Sequence, residues 1–190
     1  MRTFIAIDLP QEVKDFLKTL QDKLKESKAD VKWVSPQNIH LTLKFLGEID
    51  EEKVPRIIQI MEDAVKDKAP FCVSLSTVGA FPKITSPRII WAGITEGDGP
   101  VKEIVKTLEK KLEHLGIPSE KRAFSSHITI GRTRSGLNQD LLAEKLNESQ
   151  GLFKNKSLKW DITAITLFKS TLTPKGPIYE ALKETNLRTT

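Results

Sequence analysis

The sequence predicts an α+β fold: a bilobal molecule of two pseudo-symmetric lobes, each an antiparallel sheet backed by helices, facing each other across a central cleft. Three observations predict it. The frame His-apolar-Thr-apolar occurs twice, at residues 40–43 and 127–130, in a chain with three histidines. Around each copy the hydrophobic periodicity runs in the same order: strand, helix, motif strand, helix, strand. The spacing also matches, with 35 residues from Ile5 to His40 and 37 from Ile90 to His127. With 16 threonines in 190 residues and 38% apolar residues, a given histidine would open this frame by chance about once in a hundred. Two openings among three histidines point to duplication.

Each element has its own signal. Residues 4–9 are an apolar run that reads as a buried strand. Pro10 opens a helix with Val13, Phe16, Leu17, Leu20 and Leu24 at helical spacing. Residues 31–34 form a short strand, and residues 35–38 (Ser-Pro-Gln-Asn) a turn. The first motif strand spans 39–46 and ends at Gly47. Residues 51–65 are helical, with Val54, Ile57, Ile58, Met61 and Val65 on one face and Pro55 in the first turn. Residues 71–81 alternate as a strand. The second cycle starts with a strand at 88–95 and a turn at 97–100. A helix at 101–115 follows, with Val101, Ile104, Val105, Leu108 and Leu112 inward and Gly116 closing it. The second motif strand is 126–132. Asn138 is the expected N-cap of a helix over 138–147, and strands at 158–167 and 177–182 complete the chain. Without a linker or low-complexity segment, residues 1–190 are expected to form one compact domain. Its lobes fall roughly at 1–85 and 86–190, with exchange of strands between them allowed.

Bulk properties narrow the function. Net charge is +5 and the pI about 9.2, a mild preference for a polyanionic partner. One cysteine excludes internal disulfides. Cys72 lies in the run Phe71-Cys72-Val73, where a buried, inert thiol is expected, and a reducing compartment fits. The start of the chain reaches Asp8 too soon for a signal peptide, and no apolar stretch approaches a membrane span. A cytoplasmic location is therefore expected. The chain has neither a Gly-x-x-x-x-Gly-Lys-Ser/Thr loop nor a metal-ligand cluster at characteristic spacing, so no cofactor and no metal are expected.

The repeated frame carries the chemistry. On a strand, His40 and Thr42 share one face, about 6.6 Å apart, and Leu41 and Leu43 the other. His127 and Thr129 stand likewise against Ile128 and Ile130. Two such strands facing each other would bring together two imidazoles and two hydroxyls. Imidazole titrates near neutrality, so one ring can accept a proton while the other donates. Hydroxyls can donate to non-bridging phosphate oxygens. The set suits attack of water at phosphorus.

Other residues carry weaker signals. Arg132 could neutralise phosphate charge; in a regular strand it would point away from His127, unless Gly131 permits a bulge. Arg88 is a similar candidate. Phe45 could stack on a base, but it shares the apolar face of Leu41 and Leu43, which predicts core. Lys154, Lys156 and Lys159 read as a solvated face, with RNA guidance the alternative. Tyr179 reads as core or rim. His114 lies near a helix end, where it complements the dipole.

The segments at 2–7, 38–47, 79–82 with Pro87-Arg88, 126–132 and 170–179 together resemble the two-histidine (2H) phosphoesterase superfamily. The chain is most similar to its RNA 2',3'-cyclic phosphodiesterases, also known as 2'-5' RNA ligases. The resemblance implies hydrolysis of RNA 2',3'-cyclic phosphate ends to 2'-phosphomonoesters without a metal. In that mechanism His40 is the proton donor, His127 the proton acceptor, and Thr42 and Thr129 hold the phosphate oxygens. RNA is the implied partner, tRNA fragments among its sources, with no membrane and a monomeric state. Two alternatives stand beside this: 2'-5' ligation by the reverse chemistry, and a nucleotide- or RNA-binding module without catalysis.

Overall fold

The structure, a computed structural model, describes residues 1–154 and 158–188. Its first strand, β1 (Arg2–Asp8), buries five consecutive residues, Thr3 to Ile7, as a strand covered on both faces must. It lies inside a four-stranded antiparallel sheet, between β3 (His40–Glu48) and β8 (Ala164–Thr173), with β9 (Gly176–Asn186) beyond β8. The second sheet has five strands. Their order is β2 (Val31–Trp33), β6 (His127–Thr133), β5 (Ser86–Ile94), β4 (Phe71–Lys83), β7 (Leu158–Ile162).

The two sheets are quasi-equivalent. Ile5 pairs with Lys44 and Asp8 with His40 in one; Ile90 pairs with Gly131 and Gly93 with His127 in the other. The expected boundary near residue 85 falls in the turn of the β4–β5 hairpin, so it divides the sequence between two paired strands. Counted from the motif strand, the third strand of each sheet is exchanged. β4 comes from the first half of the sequence and pairs with β5, whereas β8 comes from the second half and pairs with β1.

The helices cross over as well. α1 (Gln11–Lys25) follows β1 but packs against α4 (Gln139–Ser149), which lies on β4 and β5. α3 (Asp98–Glu113) follows β5 but packs against β3 and α2 (Val54–Val65). The buried stripe Val13, Leu17, Leu20, Leu24 of α1 is matched on α3 by Val101, Val105, Leu108 and Leu112. These apolar faces join the inner faces of both sheets in one hydrophobic cluster.

Three expectations change in detail. The strand expected at 158–167 is two strands that part at Thr163. Leu158, Trp160 and Ile162 alternate inward on β7, and the chain then passes to the other sheet, where Ile165, Thr166 and Leu167 are buried in succession. Cys72 is exposed rather than buried, because strand alternation turns Val73 into the core and Cys72 outward. Asn138 is the N-cap of α4, with φ +53°, but its side chain makes no capping bond; its amide donates instead to the Lys28 carbonyl at 3.1 Å. Among the described residues no helix is long and apolar enough to cross a membrane.

Candidate active site

Each motif histidine opens its strand, and each is held the same way. Nδ1 of His40 lies 2.7 Å from the Asn38 carbonyl, and Nδ1 of His127 lies 2.7 Å from the Ser125 carbonyl. A carbonyl only accepts, so both Nδ1 atoms carry the proton and donate. Both Nε2 atoms are thereby left as the working nitrogens, able to accept a proton or, once protonated, to donate one. The burial alternation is as expected: His40 and Thr42 half-buried against Leu41 and Leu43, His127 and Thr129 half-buried against Ile128 and Ile130.

A bulge then interrupts each strand at the same place. Ile5 pairs with Lys44 while Ala6 pairs with Thr42, which leaves Leu43 unmatched. Ile90 pairs with Gly131 while Trp91 pairs with Thr129, which leaves Ile130 unmatched. The fourth residue of the frame is the extra residue in both copies, and the alternation changes phase there. Two residues in a row are buried, Leu43-Lys44 and Ile130-Gly131, and the next turns to the histidine face. That residue is Phe45 in one strand and Arg132 in the other. Phe45 is thus not core, as regular alternation implied, but 56% exposed. Arg132 pairs with Ile89 on the face that carries Trp91, Thr129 and His127. Gly131 points back toward Trp33, where a Cβ would lie 2.9 Å from its ring.

Two buried polar side chains, Gln21 on α1 and Lys44 on β3, tie these bulges to the crossed helices. Gln21 of α1, 1% exposed, donates from Nε2 to the Ile130 carbonyl and to the Val34 carbonyl, both at 2.8 Å. Lys44, 2% exposed, donates from Nζ to Glu109 Oε2 of α3 at 2.9 Å and to the Pro118 carbonyl at 2.7 Å. Gln21 and Glu109 hold corresponding places on the two helices. Neither follows from the motif pattern. The available signal for Gln21 was a polar residue inside the apolar stripe of Leu17, Leu20 and Leu24.

The histidines differ in their surroundings. The His40 ring stacks on Phe4 (centroids 4.8 Å, planes 27° apart) and meets Tyr179 edge-on at 5.4 Å. It walls a cavity of about 340 Å³ with Asp8, Asn38, Phe168, Ile178 and Tyr179. Burial holds its pKa below the ordinary histidine value, opposed by the Asn38 hydrogen bond and the charge of Asp8. His127 meets Phe81 edge-on at 5.1 Å, and Phe81 leans on Trp91 at 5.2 Å. Trp91 lies against Gly79, where a Cβ would sit 2.5 Å from the indole.

The motif strands β3 and β6, though in different sheets, approach each other with Cα atoms within 8 Å. Charge crosses the gap too. Burial raises the pKa of the Tyr179 phenol beside His40, and Arg2 and Arg132 oppose that rise, Arg132 from the other sheet. The remaining candidates lie elsewhere. Arg88 is the exposed, unmatched residue where β4 and β5 slip register. Lys159 is exposed and pairs with Glu96 at 2.7 Å. Lys156 and the side chain of Lys154 lie outside the described residues. His114 follows the last turn of α3 with Nδ1 on the Lys110 carbonyl. Among the described residues no three His, Cys, Asp or Glu side chains converge as a metal site would require.

A family model, LigT-like phosphoesterase, matches the chain over residues 7–91 and 94–179. The two segments start 87 residues apart, the same offset as the two histidines. A Methanothermobacter thermautotrophicus protein named RNA 2',3'-cyclic phosphodiesterase is 35% identical, over 94% of this chain and 95% of its own length. A Methanocaldococcus jannaschii protein of the same name is 36% identical, over 97% and 99%. The crystal structure of a Thermus thermophilus protein superposes with a TM-score of 0.80 at 30% identity, over 99% and 98% of the two chains. Escherichia coli LigT shares the fold at a TM-score of 0.77 and 23% identity. Matched along both halves by one family model and along nearly its whole length by such relatives, this chain belongs to the LigT-like phosphoesterase family.

Proposed function

We propose that this protein hydrolyses the 2',3'-cyclic phosphate at an RNA end to a 2'-phosphomonoester, without a metal, using His40 and His127 as an acid–base pair. One observation carries the reading: two quasi-equivalent imidazoles, each with Nδ1 committed to a carbonyl, each leave Nε2 free on facing strands. The names of the relatives support the substrate class. Net positive charge and the Arg132 guanidinium support a polyanionic substrate.

In the proposed step His127 takes a proton from water as the oxygen attacks phosphorus. The bond from phosphorus to the 3' oxygen breaks, and His40 delivers a proton to that leaving oxygen. Thr42, Thr129 and Arg132 hold the equatorial oxygens as their negative charge redistributes. Burial of His40 disfavours its protonated form, and the approaching phosphate anion together with Asp8 draws the proton back. The single hydrophobic cluster shared by both sheets supports residues 1–190 as one domain. The proposal extends to tRNA fragments as one source of such ends, a monomeric enzyme and a cytoplasmic location; the lone, exposed thiol of Cys72 is in keeping with a reducing compartment.

The test is turnover of an oligonucleotide with a 2',3'-cyclic phosphate end, in EDTA, by wild type, His40→Ala and His127→Ala. The expected product is the 2'-phosphate, with losses of roughly 10²–10⁴ in rate for each substitution. A 3'-phosphate product, or full activity in either variant, overturns the assignment.

A further inference from the structure

The bulge at Leu43 has a consequence beyond the acid–base pair. It turns Phe45 onto the histidine face, where 56% of the residue remains exposed. The Phe45 ring stands 6.2 Å from Phe4, the ring on which His40 stacks. Beside it opens a second cavity of about 250 Å³, lined by Arg2, Phe4, Phe45, Glu48, Ser170 and Tyr179. Phe4 and Tyr179 also wall the His40 cavity, so the two spaces share a partition. Along β1 they lie at opposite ends, one beside Asp8 and the other beside Arg2. The corresponding place on β6 holds a cation, Arg132, instead of an aromatic ring, so the two halves of the face differ in what they can bind.

We propose that this second cavity is a subsite for the nucleoside on the 5' side of the RNA end. The terminal nucleoside occupies the His40 cavity, the base of its neighbour stacks on the exposed face of Phe45, and Arg2 takes the phosphodiester that joins the two. The inference rests on the cyclic-phosphate reading above for the position of the terminal phosphate. Its own observations are separate. A large aromatic ring left open to solvent beside a guanidinium, in a recess continuous with the reactive face, has the chemistry of a base platform next to a backbone anchor. Glu48 also lines the recess and lies 3.4 Å from the Met1 amino group, which offsets its charge. Stacking on a ring face is sequence-tolerant, so the subsite reads chain length rather than base identity.

The test is equilibrium binding of two probes, adenosine 2'-phosphate and the dinucleotide ApA with a terminal 2'-phosphate, compared at matched salt across a series of salt concentrations. Wild type is expected to bind the dinucleotide at least about 5-fold more tightly, the low end for one stacked base. Phe45→Ala is expected to remove most of that advantage, and Phe45→Trp to keep it. Arg2→Gln is expected to lower the salt dependence for the dinucleotide more than for the mononucleotide. Equal affinity for the two probes in wild type overturns the subsite. So does a Phe45→Ala variant that weakens both probes by the same factor, or a Phe45→Leu variant that keeps the full advantage. Turnover of the cyclic-ended oligonucleotide by wild type is scored separately: its failure would remove the hydrolytic reading, while the binding comparison would still decide the subsite.

Discussion

Asp8 and Gly93 hold quasi-equivalent positions: each is the strand partner of a motif histidine, Asp8 opposite His40 and Gly93 opposite His127. The repeat therefore places a carboxylate beside one imidazole and no side chain beside the other. Asp8 favours the protonated form of His40, while burial, the larger influence, and Lys14, 2.7 Å from Asp8, work against it. A ring that must deliver a proton gains from the carboxylate.

Asp8→Asn keeps an acceptor for the Leu9 amide, which the Asp8 side chain now receives at 2.9 Å, but removes the charge. The His40 pKa then falls further. Because the proposed donor must start protonated, the alkaline limb of the kcat/KM profile moves to lower pH. A pH–rate profile for the two proteins checks this; an unmoved limb means that Asp8 does not act on the donor.

The same burial links His40 to stability. Its folded-state pKa lies below the unfolded value of 6.5. Between those values the unfolded chain binds more protons, so stability falls as pH drops through 6.5 and the loss is complete below the folded pKa. His40→Gln lacks this linkage. Denaturant titrations of both proteins between pH 7.5 and 5 should show wild type losing more stability on acidification than the variant. Parallel loss in both would contradict it.

Arg132 is proposed to supply charge where the phosphate gains it. Arg132→Ala is expected to cost about 10²-fold in kcat/KM. Arg132→Lys should recover only part of that, since an ammonium cannot present two parallel donors. Steady-state kinetics on the cyclic-ended oligonucleotide decide the matter. Full recovery by lysine would reduce the role of Arg132 to bulk charge.

Gln21 ties the Ile130 bulge, and hence the direction of Arg132, to α1. Gln21→Met preserves length and removes the donor, which leaves the Val34 carbonyl without that partner. A loss of about 1–3 kcal/mol in stability is expected. Gln21→Glu should cost more, because a carboxylate cannot donate to two buried carbonyls and its charge would be desolvated. Chemical denaturation measures both. A Gln21→Met protein as stable as wild type would show that the bond contributes nothing.

The periodic parts of this fold were legible in the sequence because they rest on local pattern. The stripes of α1 and α3, the two motif strands and the Thr42 and Thr129 faces all follow from side-chain alternation or helical spacing. The misreadings arise where alternation breaks or partners are distant. Phe45 reads as core because period two continues through Leu43 unless a bulge intervenes, and neither Leu43 nor its neighbours mark one. At the second motif Gly131 did suggest a bulge that would re-aim Arg132. Cys72 reads as buried because it lies between apolar neighbours, while alternation alone decides which of them faces inward. The switch of sheets at Thr163 has no glycine or proline to mark it, so the alternating run of β7 and the buried run that opens β8 read as one strand.

The exchange of β4 and β8 bears on the ancestry of the chain. A single-motif polypeptide of half this length, folded alone, would leave a bare sheet margin where the borrowed strand now lies. Such margins invite a second molecule. A pair of identical short chains, each lending the other a strand and a helix, would close both margins around one cleft with twofold symmetry. Joining the two genes end to end would then free each copy to drift, and the carboxylate, ring and guanidinium that now distinguish the two sides are differences that a symmetric pair could not have kept.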